Sequence, residues 1–218
     1  VYFVTGYHND AMGLEEYFQL EGLAYRLVPI KSQNKNWLNY GRVDTDILYE
    51  NMMNRFVWGG AKEKGVYIDY NHRRTLTVIK ARYNYARLAK SLVAEGQKGK
   101  ALKVLDHCIE MIPVEKVPPD MFIPDIIEAY YDAGGSDKAT ELSKSFTSYN
   151  FNRLDYYFRQ PQNILFSTDY EMQLSIQSVS RIATAAKNNG FTDLAKELED
   201  KLESYYANYI KLLQPEVK

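Results

Sequence analysis

Asp44 and Asp46 are two carboxylates separated by one residue, and carboxylates at this spacing can bind one divalent cation together. A second interpretation places both acids at the start of a helix, where they accept hydrogen bonds from free N–H groups and offset the helix dipole. No further set of ligand residues lies close to the pair in the sequence. We therefore favour the helix start and predict no metal ion.

The histidines and the single cysteine are the next candidates for metal binding or nucleophilic catalysis. His8, His72 and His107 are far apart, and none has a partner at the HExxH spacing that places two ligands on one helical face. His107 directly precedes Cys108, but adjacent helical residues point about 100° apart and do not face each other. Cys108 is typical of small residues that fill a core. The sequence therefore predicts no catalytic residue.

Gly96, Gly99 and Lys100 resemble part of a phosphate-binding loop. Such a loop needs four residues between its first glycine and the Gly-Lys pair and a strand before it, and this sequence has neither. A turn between two helices explains the glycines better. We predict no cofactor.

The segment 69–74 combines an acid, an amide, a histidine and two arginines just before a long helical pattern. Arg73 and Arg74 could bind a phosphate or a carboxylate, since guanidinium groups pair with both. In the alternative interpretation, the segment caps the start of a helix and its basic residues are solvated. Both interpretations place the segment at or just before the start of a helix.

Tyrosine is unusually frequent, with 19 residues among 218. Tyrosines at helical spacing usually pack in a core, but two adjacent pairs cannot point inward together: Tyr156 with Tyr157, and Tyr205 with Tyr206. We expect some of these side chains to be exposed. Exposed aromatic rings of this kind could contact a peptide or a glycan.

The composition is that of a globular protein, with 45% hydrophobic and 25% charged residues. The formal net charge of −1 gives no field that would attract nucleic acid. The longest apolar runs span a few residues, far fewer than the roughly 20 that cross a bilayer, so we expect this segment to lie outside the membrane. The apolar start at Val1 suggests a piece of a longer protein.

A degenerate internal repeat organises most of the chain. In three places an alanine follows a glycine by five residues: Gly96 and Ala101, Gly134 and Ala139, Gly190 and Ala195. The first unit, ending at Pro113, has the spacing of a tetratricopeptide repeat, in which small residues allow two antiparallel helices to approach closely. We predict a mainly α fold of tandem helical hairpins at about 71–113, 120–150 and 167–213, forming a domain over 71–218.

Local signals set the expected helix ends. Ser136 is a candidate N-cap, and Thr168 with Glu171 has the spacing of a capping box. Residues 150–163 are polar and aromatic and read as a bend or loop, and Pro215 should end the last helical pattern.

Residues 1–70 follow a different period and predict a small α+β cap. Alternating apolar residues indicate up to three short strands, around 1–5, 23–27 and 65–69. A short helix using Leu14, Tyr17 and Phe18 should end at Gly22, and a second should begin at Asp44 or Thr45.

Several segments of the sequence resemble the C-terminal soluble part of a family of multi-pass Bacteroidetes membrane proteins related to protein O-mannosyltransferases. The most specific segments are 17–29, 43–53 and 58–60, and the resemblance continues through 84–88, 101–113 and 128–134. It covers most of the chain and weakens after about residue 150.

The resemblance implies a periplasmic domain that follows a membrane-embedded glycosyltransferase using a lipid-linked donor and acting on secreted proteins. The catalytic acid of such enzymes lies in the membrane part, so the resemblance assigns no catalytic residue here. The implied partners are the protein's own membrane domain and acceptor proteins or glycans. The alternative is an assembly module of the cell envelope with no role in glycosyl transfer.

Overall fold

The structure, a computed structural model, describes residues 1–5, 11–32, 40–73 and 80–213. The chain divides into two compact units, Val1–Gly134 and Gly135–Lys218, and each has its own buried core. The first unit contains a small sheet and a helical hairpin, and the second contains another hairpin. The predicted fold class, mainly α with helical hairpins and a small N-terminal α+β cap, is confirmed.

Four short strands among the described residues form one sheet in the order β1-β3-β2-β4. The strands are β1 (Tyr2–Val4), β2 (Phe18–Leu20), β3 (Ala24–Leu27) and β4 (Arg42–Val43). β3 pairs antiparallel with β1 and β2, whereas β4 runs parallel to β2. Apolar alternation predicted β1 and β3 correctly, because each of these strands buries only one face.

The helix predicted to end at Gly22 is wrong. A single 3-10 turn, Glu15–Tyr17, precedes β2, and Phe18 already belongs to that strand. All three residues of β2 are buried, and β2 lies between β3 and β4 in the sheet. A strand buried on both faces lacks the alternation that identifies a strand in sequence.

The strand predicted at 65–69 is also wrong, because no strand forms there. Among the described residues no strand pairs with Val66 and Ile68, and Tyr67 between them is 81% exposed. Alternating side chains alone do not form a strand, because the backbone also needs hydrogen-bond partners from a neighbouring strand.

α1 (Thr45–Glu50) begins where the sequence predicted and continues into a π-helical stretch, Asn51–Arg55. The turn between β2 and β3 is held by two asparagines from the helical part of the unit. Nδ2 of Asn51 donates to the Glu21 carbonyl at 2.8 Å, and Nδ2 of Asn84 donates to the Gly22 carbonyl at 2.8 Å. Backbone carbonyls in the interior need such partners.

The first hairpin consists of α2 (Ala81–Ala94) and α3 (Lys98–Met111), and α4 (Ile123–Ala133) packs on both. The left-handed backbone at Gly96, with φ +78°, makes the turn between α2 and α3. Ala89, Ala101 and Cys108 are fully buried, which confirms that small residues lie where the two helices approach. Gly134 and Gly190 are left-handed as well.

Arg82 anchors α2 to the segment between α3 and α4. Its side chain is 1% exposed, and its guanidinium donates to the carbonyls of Ile112, Val117 and Pro118 and to the Asp120 carboxylate at 2.9 Å. The planar fork of an arginine suits this set of acceptors, because its donors are fixed relative to one another.

The second unit contains α5 (Ser136–Phe158), α6 (Gln162–Ser167), α7 (Asp169–Asn188) and α8 (Thr192–Leu213). α7 and α8 form the hairpin predicted at 167–213, and α5 packs on both. Pro215 lies outside the described residues.

The bend predicted at 150–163 is wrong over most of that range, because α5 continues to Phe158. Phe151 and Leu154 are buried on one face of α5, and the amide of Asn150 donates to the Phe146 carbonyl at 2.9 Å. Asn150 is therefore buried with its amide satisfied within the helix, whereas Asn152 lies on the exposed face. The chain leaves the helix only just before Pro161, as expected from the restriction that proline places on its predecessor.

Two predicted caps are wrong. Ser136 is the first residue of α5 and makes no cap, since Gly135 occupies the N-cap position. Thr168 precedes α7, but its hydroxyl donates backwards to the carbonyls of Ile164 and Leu165 instead of accepting from α7. Hydroxyls of serine and threonine often choose a carbonyl one turn earlier when a helix lies there.

The division after Gly134 falls inside the segment predicted as the second hairpin, 120–150. Within the first unit α4 packs on α2 and α3, and within the second α5 packs on α7 and α8. The domains predicted over 1–70 and 71–218 stay a prediction.

α5, α7 and α8 are the long helices of the second unit, with 23, 20 and 22 residues. Each carries charged residues on its exposed side. Among the residues that the structure describes, none of the helices combines the length and the apolar character that a membrane span requires.

Candidate functional site

One face of α2 forms the floor of a polar cleft of about 560 Å³ in the first unit. Tyr83, Arg87, Lys90 and Ala94 follow one another at intervals of four, three and four residues, so they share a helix face. β4 supplies one wall and α4 the other. The remaining lining residues are Gly41, Val43, Ala86, Ser91, Glu95 and Asp125.

Small residues keep the cleft open. Ala86, Ser91 and Ala94 fill little space above the helix axis, and Gly41 brings the chain close to the sheet. Gly41 has φ +71°, and a Cβ at this position would lie 2.2 Å from the Phe18 carbonyl oxygen. Only glycine permits this approach, so the β4 wall depends on it.

Arg87 is a buried cation in the cleft wall, with 6% of its side chain exposed. Its Nη1 donates to the Tyr25 hydroxyl at 3.2 Å, and its Nη2 donates to the carbonyls of Tyr40 at 2.9 Å and Gly41 at 3.3 Å. Burial lowers the pKa of Arg87, and the neighbouring Tyr25 opposes that shift. An arginine still stays charged at neutral pH. Its Nε makes no hydrogen bond within the described part of the chain.

Lys90 and Asp125 place a cation and an anion side by side. Nζ of Lys90 lies 2.9 Å from a Glu128 oxygen and 3.5 Å from an Asp125 oxygen. The lysine side chain is 38% exposed and the aspartate side chain 14%, so both groups are partly shielded from solvent where they line the cleft. Their charges offset each other and hold α2 and α4 together.

Glu95 stands at the end of α2 and adds a second carboxylate. The Thr45 hydroxyl lies 3.0 and 2.9 Å from its two oxygens and donates its single proton to this carboxylate, and Nε2 of Gln97 donates to one of the oxygens at 2.9 Å. These donors fix the carboxylate in one orientation, although it is exposed to solvent.

Tyr83 supplies the aromatic surface of the cleft. Its ring packs against Phe122 with a centroid distance of 5.0 Å and is half-buried. Burial raises the pKa of Tyr83, and the nearby Asp125 adds to that effect. The hydroxyl therefore stays protonated at neutral pH and can both donate and accept.

The cleft thus offers two cations, two carboxylates, two hydroxyls and an aromatic ring in one small space. Each charged group already has a hydrogen-bond or ion-pair partner from the fold, so its position is set before any ligand arrives. Such a preformed set of donors and acceptors is suited to binding a polar molecule.

The four tyrosines predicted to contact a ligand lie in the second unit, and each adjacent pair divides between surface and interior. Tyr156 is 61% exposed and Tyr206 56%, whereas Tyr205 is buried and donates to Asp155 at 2.6 Å. Tyr157 is half-buried and accepts a hydrogen bond from Arg153 at 2.9 Å. The exposure expected for some of them is present, and ligand contact stays a prediction.

Of the two predicted anion-binding arginines, Arg73 is half-buried and Arg74 lies outside the described residues. The carboxylate of Asp69 accepts from the backbone N–H groups of Asn71 at 2.8 Å and His72 at 3.1 Å, and the helical backbone begins at residue 70. The segment therefore does start a helix as predicted. Anion binding by the arginines stays a prediction.

Asp44 accepts a hydrogen bond from the backbone N–H of Ile47 at 3.1 Å, as expected for a helix cap, and Asp46 is exposed in the first turn of α1. His107 contacts Tyr85, with 2.9 Å between Nδ1 and the tyrosine hydroxyl. Cys108 is fully buried as predicted. His8 lies outside the described residues.

The cleft itself was missed from sequence, although a signal for it exists. Most of α2 is buried, and yet Arg87 and Lys90 recur on the same stripe as Tyr83 and Ala94. Charged residues on a mostly buried helix indicate either partners or a site, and both apply here. The walls of the cleft are formed by β4 and α4. Sequence periodicity does not predict that these two elements lie beside α2.

A family model described as TMEM260-associated domain 2 matches residues 1–47, which are 47 of the 218 residues of the chain. The matched segment contains the four strands and the beginning of α1, and it includes Gly41 and Val43 of the cleft wall. No curated protein matches the chain. No solved structure matches it either.

Proposed function

We propose that this chain is a non-catalytic accessory domain of a membrane-embedded glycosyltransferase that acts on secreted proteins. In this role the domain lies on the periplasmic face of the inner membrane and holds part of the acceptor while the membrane domain performs the transfer. The cleft on α2 is the binding site. The partners are the protein's own membrane domain and the acceptor.

The observation that carries the proposal is the preformed polar cleft formed by α2, β4 and α4. Its charged groups are occupied by structural partners: Arg87 by backbone carbonyls, Lys90 by Glu128, and Glu95 by Thr45. Groups held in this way recognise a ligand well, because binding then costs little ordering of side chains.

Two further observations support the link to glycosyl transfer. The segments 17–29, 43–53 and 58–60 resemble segments of membrane proteins related to protein O-mannosyltransferases. The match of residues 1–47 to a TMEM260-associated domain overlaps two of these segments.

A second candidate function is an assembly module of the cell envelope. It is favoured by large side chains exposed in the second unit, where Tyr156, Phe166, Tyr170 and Tyr206 are each more than half exposed. Aromatic residues at a surface are frequent in protein interfaces.

Site-specific cross-linking in cells separates the two functions. A photoreactive amino acid replaces Ala94, which is exposed at the cleft, in the protein with its native flanking sequence. The matched control carries the same group at Lys103, which is exposed on α3 outside the cleft. We expect secreted acceptor proteins or their glycans to be captured from position 94 alone.

Capture of the same envelope proteins from both positions, with no secreted acceptor, contradicts the accessory role and supports the assembly module. Unchanged glycosylation of secreted proteins after deletion of the domain also contradicts it.

A further inference from the structure

We infer that the cleft on α2 binds an uncharged saccharide, of one or two hexose units, and this inference rests on the accessory role proposed above. The ligand chemistry follows from the charge balance, the hydrogen-bonding groups and the shape of the cleft.

The ionised side chains that line the cleft balance one another. Arg87 and Lys90 contribute two positive charges, Glu95 and Asp125 contribute two negative charges, and Glu128, with an oxygen 2.9 Å from Nζ of Lys90, adds a negative charge beside the lining. A phosphate or carboxylate ligand would approach two carboxylates, and an amine would approach two cations. Each of these charges already has an ion-pair or hydrogen-bond partner within the fold, so a charged ligand would be desolvated without a counter-charge of its own, which favours a neutral ligand.

The hydrogen-bonding groups alternate between donors and acceptors over short distances. Nζ of Lys90 and an oxygen of Asp125 lie 3.5 Å apart, with the hydroxyls of Tyr83 and Ser91 lining the same cleft. Each hydroxyl of a sugar both donates and accepts, and neighbouring hydroxyls present these functions in pairs. A polyol therefore satisfies a cation and a carboxylate placed side by side.

The aromatic ring and the size of the cleft agree with the same ligand. Tyr83 is braced by Phe122 and lines the cleft, and aromatic rings of this kind pack against the C–H face of a pyranose. The volume of about 560 Å³ is that of a small-molecule site. Val43 is the largest aliphatic side chain in the lining, so the cleft offers few large aliphatic groups on which the apolar side chains of a peptide could pack.

The test is a titration of the 218-residue chain by NMR, with methyl α-glucopyranoside, methyl α-mannopyranoside, methyl α-galactopyranoside and their disaccharides as probes. We expect saturable binding of at least one neutral probe and about tenfold weaker binding of glucuronic acid and glucosamine. Tyr83→Ala should weaken binding about tenfold, whereas Tyr83→Phe should retain most of it, because the ring is kept.

A second variant keeps the outcome readable if Tyr83→Ala loses its fold. Ser91→Phe fills the cleft without removing the packing of Tyr83 on Phe122, and it should abolish binding while the circular dichroism spectrum stays unchanged. The controls are Tyr67→Ala and Asp132→Asn, which change an exposed tyrosine and an exposed carboxylate outside the cleft. Both should bind like the unmodified chain.

The inference is overturned if no neutral saccharide binds saturably, if charged sugars bind more tightly than neutral ones, or if Ser91→Phe binds normally. Cross-linking from position 94 reports separately on the accessory role. A chain that captures secreted acceptors through their polypeptide and binds no saccharide overturns this inference alone.

Discussion

Cys108 occupies a fully buried position in α3, the helix that pairs with α2. Burial raises the pKa of its thiol to about 12, well above the ordinary value for cysteine. The thiolate is the reactive form of cysteine. In the folded chain Cys108 is protected from thiol reagents because little thiolate forms and because the sulfur is buried.

We therefore predict that Cys108 does not react with a thiol reagent such as DTNB at pH 8 until the protein unfolds. With a pKa near 12, about one thiol in ten thousand is ionised at that pH. The reaction should become rapid in guanidinium chloride and should track loss of the circular dichroism signal. Fast stoichiometric labelling of the native chain would contradict the burial of this residue.

Lys80 shows a comparable effect of burial on a base. It immediately precedes α2 in a left-handed conformation, with φ +59°, and its side chain is 5% exposed. Burial, with repulsion from Arg87 as a second cause, lowers the pKa of Lys80 from 10.5 to about 8. The folded state therefore binds this proton less tightly than the unfolded state does.

The sign of the pH dependence follows from linkage. Below about pH 8 both states are protonated, and the cost of burying the charge is fully present. Between about pH 8 and 10.5 the unfolded state holds more protons, so stability rises with pH. We expect the free energy of unfolding of the natural chain, minus that of Lys80→Met, to increase across this window in urea titrations. A flat difference would contradict the lowered pKa.

The same scale shows what side-chain patterns can predict. The caps at Asp44 and Asp69 were predictable, because a short acidic side chain before a helix has free N–H groups within reach. The direction of the Thr168 hydrogen bond could not be predicted in this way. Its hydroxyl donates to a carbonyl of the preceding helix, α6, and the spacing of a capping box does not show that such a carbonyl lies within reach.

At the scale of elements, the α2–α3 hairpin contains two glycines with opposite roles. Gly96 makes the turn with φ +78°, whereas Gly99 lies within the first turn of α3 with open space around its Cα. A side chain at position 96 strains the left-handed backbone, and a methyl group at position 99 reduces the freedom of the unfolded chain.

We predict that Gly96→Ala destabilises the protein by about 1 kcal/mol and that Gly99→Ala stabilises it by about 0.5 kcal/mol. Chemical denaturation of both variants measures the difference, and each serves as the control of the other. Equal effects at the two positions would contradict the turn geometry.

Helix existence and pairing were predictable at this scale, whereas irregular junctions were not. The glycines before Ala101 and Ala195 located two hairpins correctly, because a left-handed residue between two apolar stripes has few alternatives. The continuation of α5 through residues 150–158 depends on burial of Phe151 and Leu154 against other helices, which composition cannot reveal. The cleft depends in the same way on tertiary contacts of α2 with β4 and α4.

At the scale of the molecule, the first unit can be tested as a separate domain. Its core contains Leu20, Leu48, Leu88 and Leu105, all of them fully buried in the whole chain. A unit of this size with many buried apolar residues and anchored helices is within the range of domains that fold alone.

We predict that a chain ending after Gly134 folds on its own, retaining helical circular dichroism and an unreactive Cys108. The hydrogen bonds of Arg82 and Arg87 lie entirely within this unit and should survive the truncation. Reaction of Cys108 at the rate of unfolded protein would show that the unit needs the remainder of the chain.

The asparagines that hold the β2–β3 turn have a kinetic consequence. Asn51 and Asn84 lie 30 and 62 residues from the carbonyls to which they donate. Closing loops of that length precedes any gain from these bonds, so the hairpin cannot complete its hydrogen bonding early. We therefore expect the sheet to mature late during refolding, after α2 has docked, although its strands precede α2 in the chain.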